Sequence, residues 1–156
     1  MKRAVTVIGA KGGCGLERIV EHLTSKGGDV IVLNPLYVYC PEQVISAAEH
    51  AERAFDEGRN RSRTFLTETI MYVSGERQVS KALKRMRPPE GSDEFVLAVF
   101  DVDDPDLESI GLKECPELLE GTPEKAEAMG LDASGMNIDL RDLALETVAM
   151  LDIEKV

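Results

Sequence analysis

Residues 59–86 read RNRSRTFLTETIMYVSGERQVSKALKRM. Two helical periods meet inside this stretch. Phe65, Leu66, Ile70, Met71 and Val73 give the first segment an apolar side, and Val79, Ala82, Leu83 and Met86 recur at helical spacing in the second. Ser74-Gly75 between them reads as a hinge. Around the apolar stripes stand Arg59, Arg61, Arg63, Arg77, Lys81, Lys84 and Arg85, with Arg87 just beyond, against only Glu68 and Glu76. A pair of basic helices therefore sits in the middle of a chain whose overall net charge is -11.

Outward from this pair, strands and helices alternate. Towards the N-terminus, Ala4–Gly9 (AVTVIG) and Asp29–Leu33 (DVIVL) are short β-branched strands. Leu16–Ser25 between them carries Leu16, Ile19, Val20 and Leu23 at helical spacing, and Gly27-Gly28 ends it. A helix begins near Pro41, whose missing N–H costs nothing at a first helical position, and stops at Gly58. Towards the C-terminus, Pro88-Pro89 breaks the basic helices, and Phe95–Phe100 (FVLAVF) follows. Its unbroken apolar run predicts a central strand covered on both faces. The acidic stretch DVDDPDLESIG predicts a loop or short helix. Thr122-Pro123-Glu124 starts a short helix that Gly130 closes, and Asp139 caps a last helix from Leu140 to about Ile153. The expectation is one α/β (α+β) domain over residues 1–156, with a small central mixed sheet packed against several helices.

Composition narrows the function classes. No apolar run approaches the roughly 18–20 residues of a membrane helix, and the start MKRAVTVIGAKGG lacks the features of an export signal. Cys14, Cys40 and Cys115 form no CxxC pair and have no His cluster beside them, which argues against zinc and disulfides and for a cytoplasmic protein. Charge is polarised: residues 1–89 balance to +4 and residues 90–156 to -15. Such a chain can offer a basic face to an anionic partner while its acidic half keeps it soluble.

The segment Gly9–Gly15, GAKGGCG, lies between a strand and a helix, the setting of a phosphate-binding loop. A nucleotide-binding enzyme built on this turn is the competing reading. It fails on the next two residues, where a Lys and a Ser or Thr are needed and Leu16-Glu17 stand instead. His22 and His50 fall in helical patterns beside carboxylates, as surface histidines do, and DVDDPD lacks the Gly and distal Glu of a calcium loop. No catalytic residues, cofactor or metal are expected.

Two patterns carry a family resemblance. Glu68, Thr69, Ile70, Met71, Tyr72, Ser74, Gly75, Arg77, Gln78, Val79, Ala82 and Leu83 follow E-I-L-L-Y-x-S-G-x-R-Q-I-x-x-A-L, with Thr69 in place of an aliphatic residue. Asp142 to Lys155 follow D-L-x-L-E-x-V-A-L-L-D-x-x-K, with Met150 for a Leu. With the helix ending AERAFDEGRN, these make the chain similar to the small kinase-binding subunit of the KEOPS complex, the PRPK-binding protein family. Arg87-Pro88 replaces the Gly that often follows the first motif.

The resemblance implies a compact α/β domain without catalysis of its own. It implies direct docking on the small KEOPS protein kinase/ATPase, indirect contact with the other KEOPS subunits, and binding of the single-stranded CCA end of tRNA. The complex installs a threonylcarbamoyl group on an adenosine beside the anticodon. The residues expected at tRNA are Arg59, Asn60, Arg61 and Arg63, near a helix N-terminus, and Arg77, Lys81, Lys84 and Arg85, spaced to share mostly one side. For the kinase, the last helix carries a second apolar stripe, Leu145, Ala149, Ile153 and Val156, roughly opposite its core stripe of Leu140, Leu143, Ala144, Thr147, Val148 and Leu151. That second stripe needs cover, from a partner or from the chain itself. Glu146 and Asp152 are expected to flank it as part of a polar rim.

Overall fold

The computed structural model describes residues 3–132 and 139–154. Strand β1 (Val5–Lys11), helix α1 (Leu16–Ser25) and strand β2 (Asp29–Leu33) come first. Helices α2 (Pro41–Asp56), α3 (Phe65–Ser74) and α4 (Val79–Met86) follow, then β3 (Glu94–Phe100), β4 (Lys113–Glu114), α5 (Pro123–Met129) and α6 (Leu140–Glu154). This is an α+β fold around a four-stranded sheet of order β2-β3-β1-β4.

The sheet is antiparallel at every pairing, not mixed. β3 runs against β1 from Val5↔Phe100 to Lys11↔Glu94 and against β2 from Asp29↔Phe100 to Leu33↔Val96. β1 and β2 thus point the same way, and α1 crosses between them. Yet β3 lies in the gap, so the parallel pair that a strand–helix–strand reading invites never forms. β4, two residues at the β1 edge, pairs Ala10↔Glu114 and Lys11↔Lys113. So short a strand leaves no alternation to read.

Period-two geometry divides the core into two. Val96, Ala98 and Phe100 of β3, with Ile31 and Leu33 of β2, face the layer of α2, α3, α4 and α6. Phe95, Leu97 and Val99, with Ile8, Ala10 and Val30, face α1 and the Leu107–Ile110 turn. β3 is therefore apolar at successive positions because both its faces are covered, as its sequence predicts. Each such Leu, Val or Phe withdrawn from water contributes on the order of 1.5–3 kcal/mol.

The two basic helices fold as their sequence implies. Thr64 caps α3, its hydroxyl accepting the Thr67 N–H, and Gly75 closes it in the left-handed region at φ 71°. A side chain at Gly75 would also strike Thr147 of α6, 2.8 Å from an added Cβ. α3 is buried on most sides, at Met71, Tyr72 and Val73 and also at Glu68, Thr69 and Ser74. α4 buries only Ala82 and Met86 and leaves Leu83 exposed.

The GAKGGCG stretch is no phosphate cradle. Lys11 is the last residue of β1, paired with Glu94 and Lys113, and the Gly12 N–H bonds the Asp93 carbonyl. Leu16-Glu17 stand in the first turn of α1, where a phosphate-binding loop needs its Lys and its Ser or Thr.

Candidate functional sites

The expected tRNA-binding residues separate into groups with different surroundings. Glu68 decides where the first group goes. Its side chain is fully buried at the start of α3. One carboxylate oxygen accepts the Ser62 N–H at 2.9 Å and the Ser62 hydroxyl at 2.7 Å, and the Arg61 N–H reaches the carboxylate at 3.1 Å. A buried carboxylate is stable only when hydrogen bonds satisfy it, and here the donors come from the loop before α3. The loop is thereby folded back on the helix with Arg61 and Arg63 exposed.

Arg61 meets α4 there. With Gly75, Glu76, Arg77, Gln78 and Lys81 it lines a pocket of about 260 Å³. Three of the eight expected residues thus converge on one concavity although they are far apart in sequence. The N-terminus of α4 opens beside them. Gln78, at its N-cap, makes no capping bond with its side chain, and the first turn holds no acidic residue. Uncapped N–H groups and the positive end of the helix dipole add to the side-chain cations. A pocket built this way suits an anionic group such as phosphate.

The other five stand elsewhere. Arg59 donates to Glu57 at 2.8 Å and to Asp152 at 3.1 Å, contacts that raise its already high pKa further, and it serves to hold α6. Asn60 donates to the Ser62 carbonyl inside the loop. Arg63 is exposed, without an ion-pair partner among the described residues. Lys84 lines a separate groove with Arg87 and Gly13 to Glu17. Arg85 contacts Glu76 at 3.6 Å, donates to the Ser74 carbonyl at 3.3 Å and lies 5.3 Å from the centre of the Tyr37 ring.

A second site follows from how α6 packs. Ala144, Val148 and Leu151 are buried, while Leu140, Leu143 and Thr147 are half-buried, so the core stripe lies where the helical wheel puts it. Of the opposite stripe, Leu145 is half-buried, Ala149 is exposed and Ile153 is 67% exposed; Val156 lies outside the described residues. No described segment covers Ala149 and Ile153. Arg141 is ion-paired with Glu42 and Asp152 with His50, which ties both ends of α6 to α2. Between those ties α2 contributes the exposed Ile45.

Asp152 does not join a polar rim. Its carboxylate turns inward and accepts from Tyr72 of α3, from His50 of α2 and from Arg59. Burial pushes its pKa up, but the hydrogen bonds from Tyr72, His50 and Arg59 outweigh that and hold it below the usual carboxylate value. The His50 ring stacks on Tyr72 at 5.3 Å between centroids, so this histidine is part of the packing and not a surface residue. Burial, and then the carboxylate, raise the pKa of Tyr72 and keep it a donor. Sequence alone could not place this cluster, because its members are brought together from three helices and a loop. Asp152 does stand inside the closing motif, Tyr72 inside the first and Arg59 in AERAFDEGRN, and those are the signals the sequence offers.

Comparison with known proteins gives the family. A family model described as kinase binding protein CGI-121 matches residues 16–156. The KEOPS complex subunit Cgi121 of Pyrococcus abyssi (strain GE5 / Orsay) is 34% identical over 83 residues, 49% of this chain and 47% of that protein. The chain thus spans about half the length of the curated relative it matches.

Proposed function

The chain belongs to the CGI-121 family of kinase binding proteins, and from that premise we propose that it is a non-catalytic subunit of a KEOPS complex. In this reading it docks directly on the small KEOPS protein kinase/ATPase through the exposed side of α6, regulates it, and contacts the other subunits through it. It also holds the single-stranded CCA end of tRNA in the pocket of Arg61, Arg77 and Lys81, in support of threonylcarbamoyl transfer to tRNA in the cytoplasm.

The observation that carries the reading is the convergence of Arg61, Arg77 and Lys81 at the uncapped start of α4, in a protein whose net charge is -11. Three cations gathered against the overall charge give an anionic partner one place to bind. The exposed Ala149 and Ile153 support the docking assignment, because apolar side chains left in water on one helix face mark an interaction surface. No helix among the described residues is long and apolar enough to cross a membrane.

The test is reconstitution. The purified chain, mixed with the small KEOPS kinase, should co-elute with it, and the pair should shift tRNA at a lower concentration than the kinase alone. Separate elution of the two proteins would refute the docking. An unchanged tRNA shift would refute the RNA contact.

A further inference from the structure

Half of the apolar stripe of α1 stays in water. The spacing of Leu16, Ile19, Val20 and Leu23 directs all four to one side. Yet only Ile19 and Leu23 are buried, in the core that Phe95, Leu97 and Val99 line. Leu16 is half-buried and Val20 is 43% exposed. The far flank of the helix is tied down. His22, roughly half a turn round from Val20, donates through Nε2 to the Pro105 carbonyl at 2.8 Å, and Lys26 stands 3.9 Å from Asp106. Along the untied flank runs a groove of about 680 Å³, lined by Leu16, Glu17, Val20, Glu21, Thr24 and Ser25. Leu16 and Glu17 also line the groove of Lys84 and Arg87, about 790 Å³, so the two grooves meet there.

Glu17 and Glu21 fix the sign of what this face can take. They stand one turn apart beside the apolar stripe, both exposed, and neither is ion-paired among the described residues. Like charges four residues apart destabilise a helix, so a cation brought between them relieves a repulsion built into α1. A nucleic acid or an anionic membrane surface would be repelled. A second copy of the chain fits no better, because a two-fold pairing of α1 with α1 sets this glutamate pair against its own image. Exposed ion pairs contribute little to affinity. Burial of Leu16 and Val20 therefore supplies the attraction, and the carboxylates choose the partner.

We infer that this flank of α1 docks an amphipathic helix of a partner protein, whose apolar seam lies along Leu16 and Val20 and whose Lys or Arg side chains meet Glu17 and Glu21. The 10 residues of α1 match about three turns of such a helix. A contact of that length falls at the low end of interface sizes, below about 1,200 Å², which makes the partnership a transient one. α1 and α6 cover opposite faces of the sheet. The contact thus leaves the exposed side of α6 and the pocket of Arg61, Arg77 and Lys81 free.

The experiment titrates the purified full chain with three synthetic helical peptides. One has a leucine seam flanked by lysines, one replaces every lysine by glutamate, and one scrambles the first so that its composition and charge remain but its seam is lost. The ordered basic peptide should bind at least tenfold more tightly than either of the others, and should shift the amide resonances of residues 16–25 and not those of α6. Val20→Glu should cost about tenfold, and Glu17→Lys with Glu21→Lys should turn the preference towards the acidic peptide. Equal binding of the ordered and scrambled basic peptides would overturn the inference, since bulk charge would then account for it. So would shifts confined to the acidic loop at 101–108, no binding at all, or self-association of the chain that Val20→Glu abolishes. The peptide comparison and the shift map use unaltered protein, so they do not depend on how the variants fold.

Discussion

Tyr72, buried on α3, donates its hydroxyl to the Asp152 carboxylate on α6. That bond joins two helices with different proposed tasks, since α6 presents the docking stripe and α3 anchors the loop that delivers Arg61. Arg59, from the same loop, donates to the same carboxylate oxygen at 3.1 Å, and His50 of α2 bonds the other. Removing the carboxylate takes one acceptor from each of Tyr72, His50 and Arg59. Asp152→Ala should therefore lower the unfolding free energy by about 3 kcal/mol, and Tyr72→Phe by about 1 kcal/mol. Urea unfolding of the three proteins at one temperature measures both.

The same junction sets a pH dependence. Asp152 has a folded-state pKa below its unfolded value of about 3.9. Its contribution is fully present above that unfolded value and is lost as the pH falls through the depressed folded value. The difference in stability between the unaltered protein and Asp152→Asn should be constant from pH 7 to about pH 5 and shrink below about pH 4. Denaturation midpoints of the two proteins at pH 7 and pH 3 give the answer. A difference that grew on acidification would show that the carboxylate is not held charged in the fold.

The elements themselves were legible because their signals are local. α1, β2 and the start of α2 begin where the sequence predicts, since a Gly pair, a Pro at a first helical position and runs of β-branched residues act within a few positions. The sheet pairing was not legible. Inserting β3 between β1 and β2 depends on tertiary packing and leaves no mark in either strand. The site was half legible. Charge marked the 59–86 stretch, but charge alone does not separate Arg59, spent on Glu57 and Asp152, from Arg61, delivered to a pocket. That separation is made by Glu68 and Asp152, acidic residues whose burial cannot be read from composition. His50 misled for the same reason, because a histidine beside Glu49 reads as solvated until Tyr72 is seen against it.

Glu68→Ala tests how the loop is held. The buried carboxylate takes bonds from the Arg61 and Ser62 N–H groups and from the Ser62 hydroxyl. Without it those donors lose their acceptor and the loop loses its attachment to α3. A loss of about 2–3 kcal/mol is expected, the cost of leaving buried polar groups unsatisfied. tRNA binding should weaken under conditions where the variant is still folded, because Arg61 no longer holds its place at the pocket. Unchanged tRNA affinity at full folding would show that the position of Arg61 does not matter.

Ala149→Glu tests the docking helix. Ala149 is exposed, so a longer charged side chain meets water in the isolated chain, and stability should change by no more than about 0.5 kcal/mol. In a complex the same carboxylate would be buried without a partner, which costs several kcal/mol and should abolish kinase binding. Circular dichroism and thermal unfolding check the fold, and co-elution with the kinase checks the docking. Full binding by the folded variant would move the contact off this face of α6.

The pocket makes a sharper prediction than the count of basic residues does. If all eight expected residues tracked a phosphate backbone equally, any two charge reversals would weaken tRNA binding alike. The geometry says otherwise. Arg77 and Lys81 share a pocket with Arg61 at the start of α4, whereas Lys84 lines another groove and Arg59 is held by two carboxylates. Arg77→Glu with Lys81→Glu should thus reduce affinity by more than tenfold, since each reversal both removes an attraction and adds a repulsion. Lys84→Glu should cost only a few-fold. Removing the CCA end from the tRNA should match the double reversal and add little to it, because both delete the same contact. If each of the three pocket cations neutralises one phosphate charge along the strand, the slope in log affinity against log salt should be near -2 for a single strand, about -0.7 for each charge. The slope should flatten towards zero in the double variant. Fluorescence anisotropy over a salt series, with intact and trimmed tRNA against the three proteins, supplies every term. Equal losses from Lys84→Glu and from the double reversal, or full affinity for trimmed tRNA, would take the binding site away from this pocket.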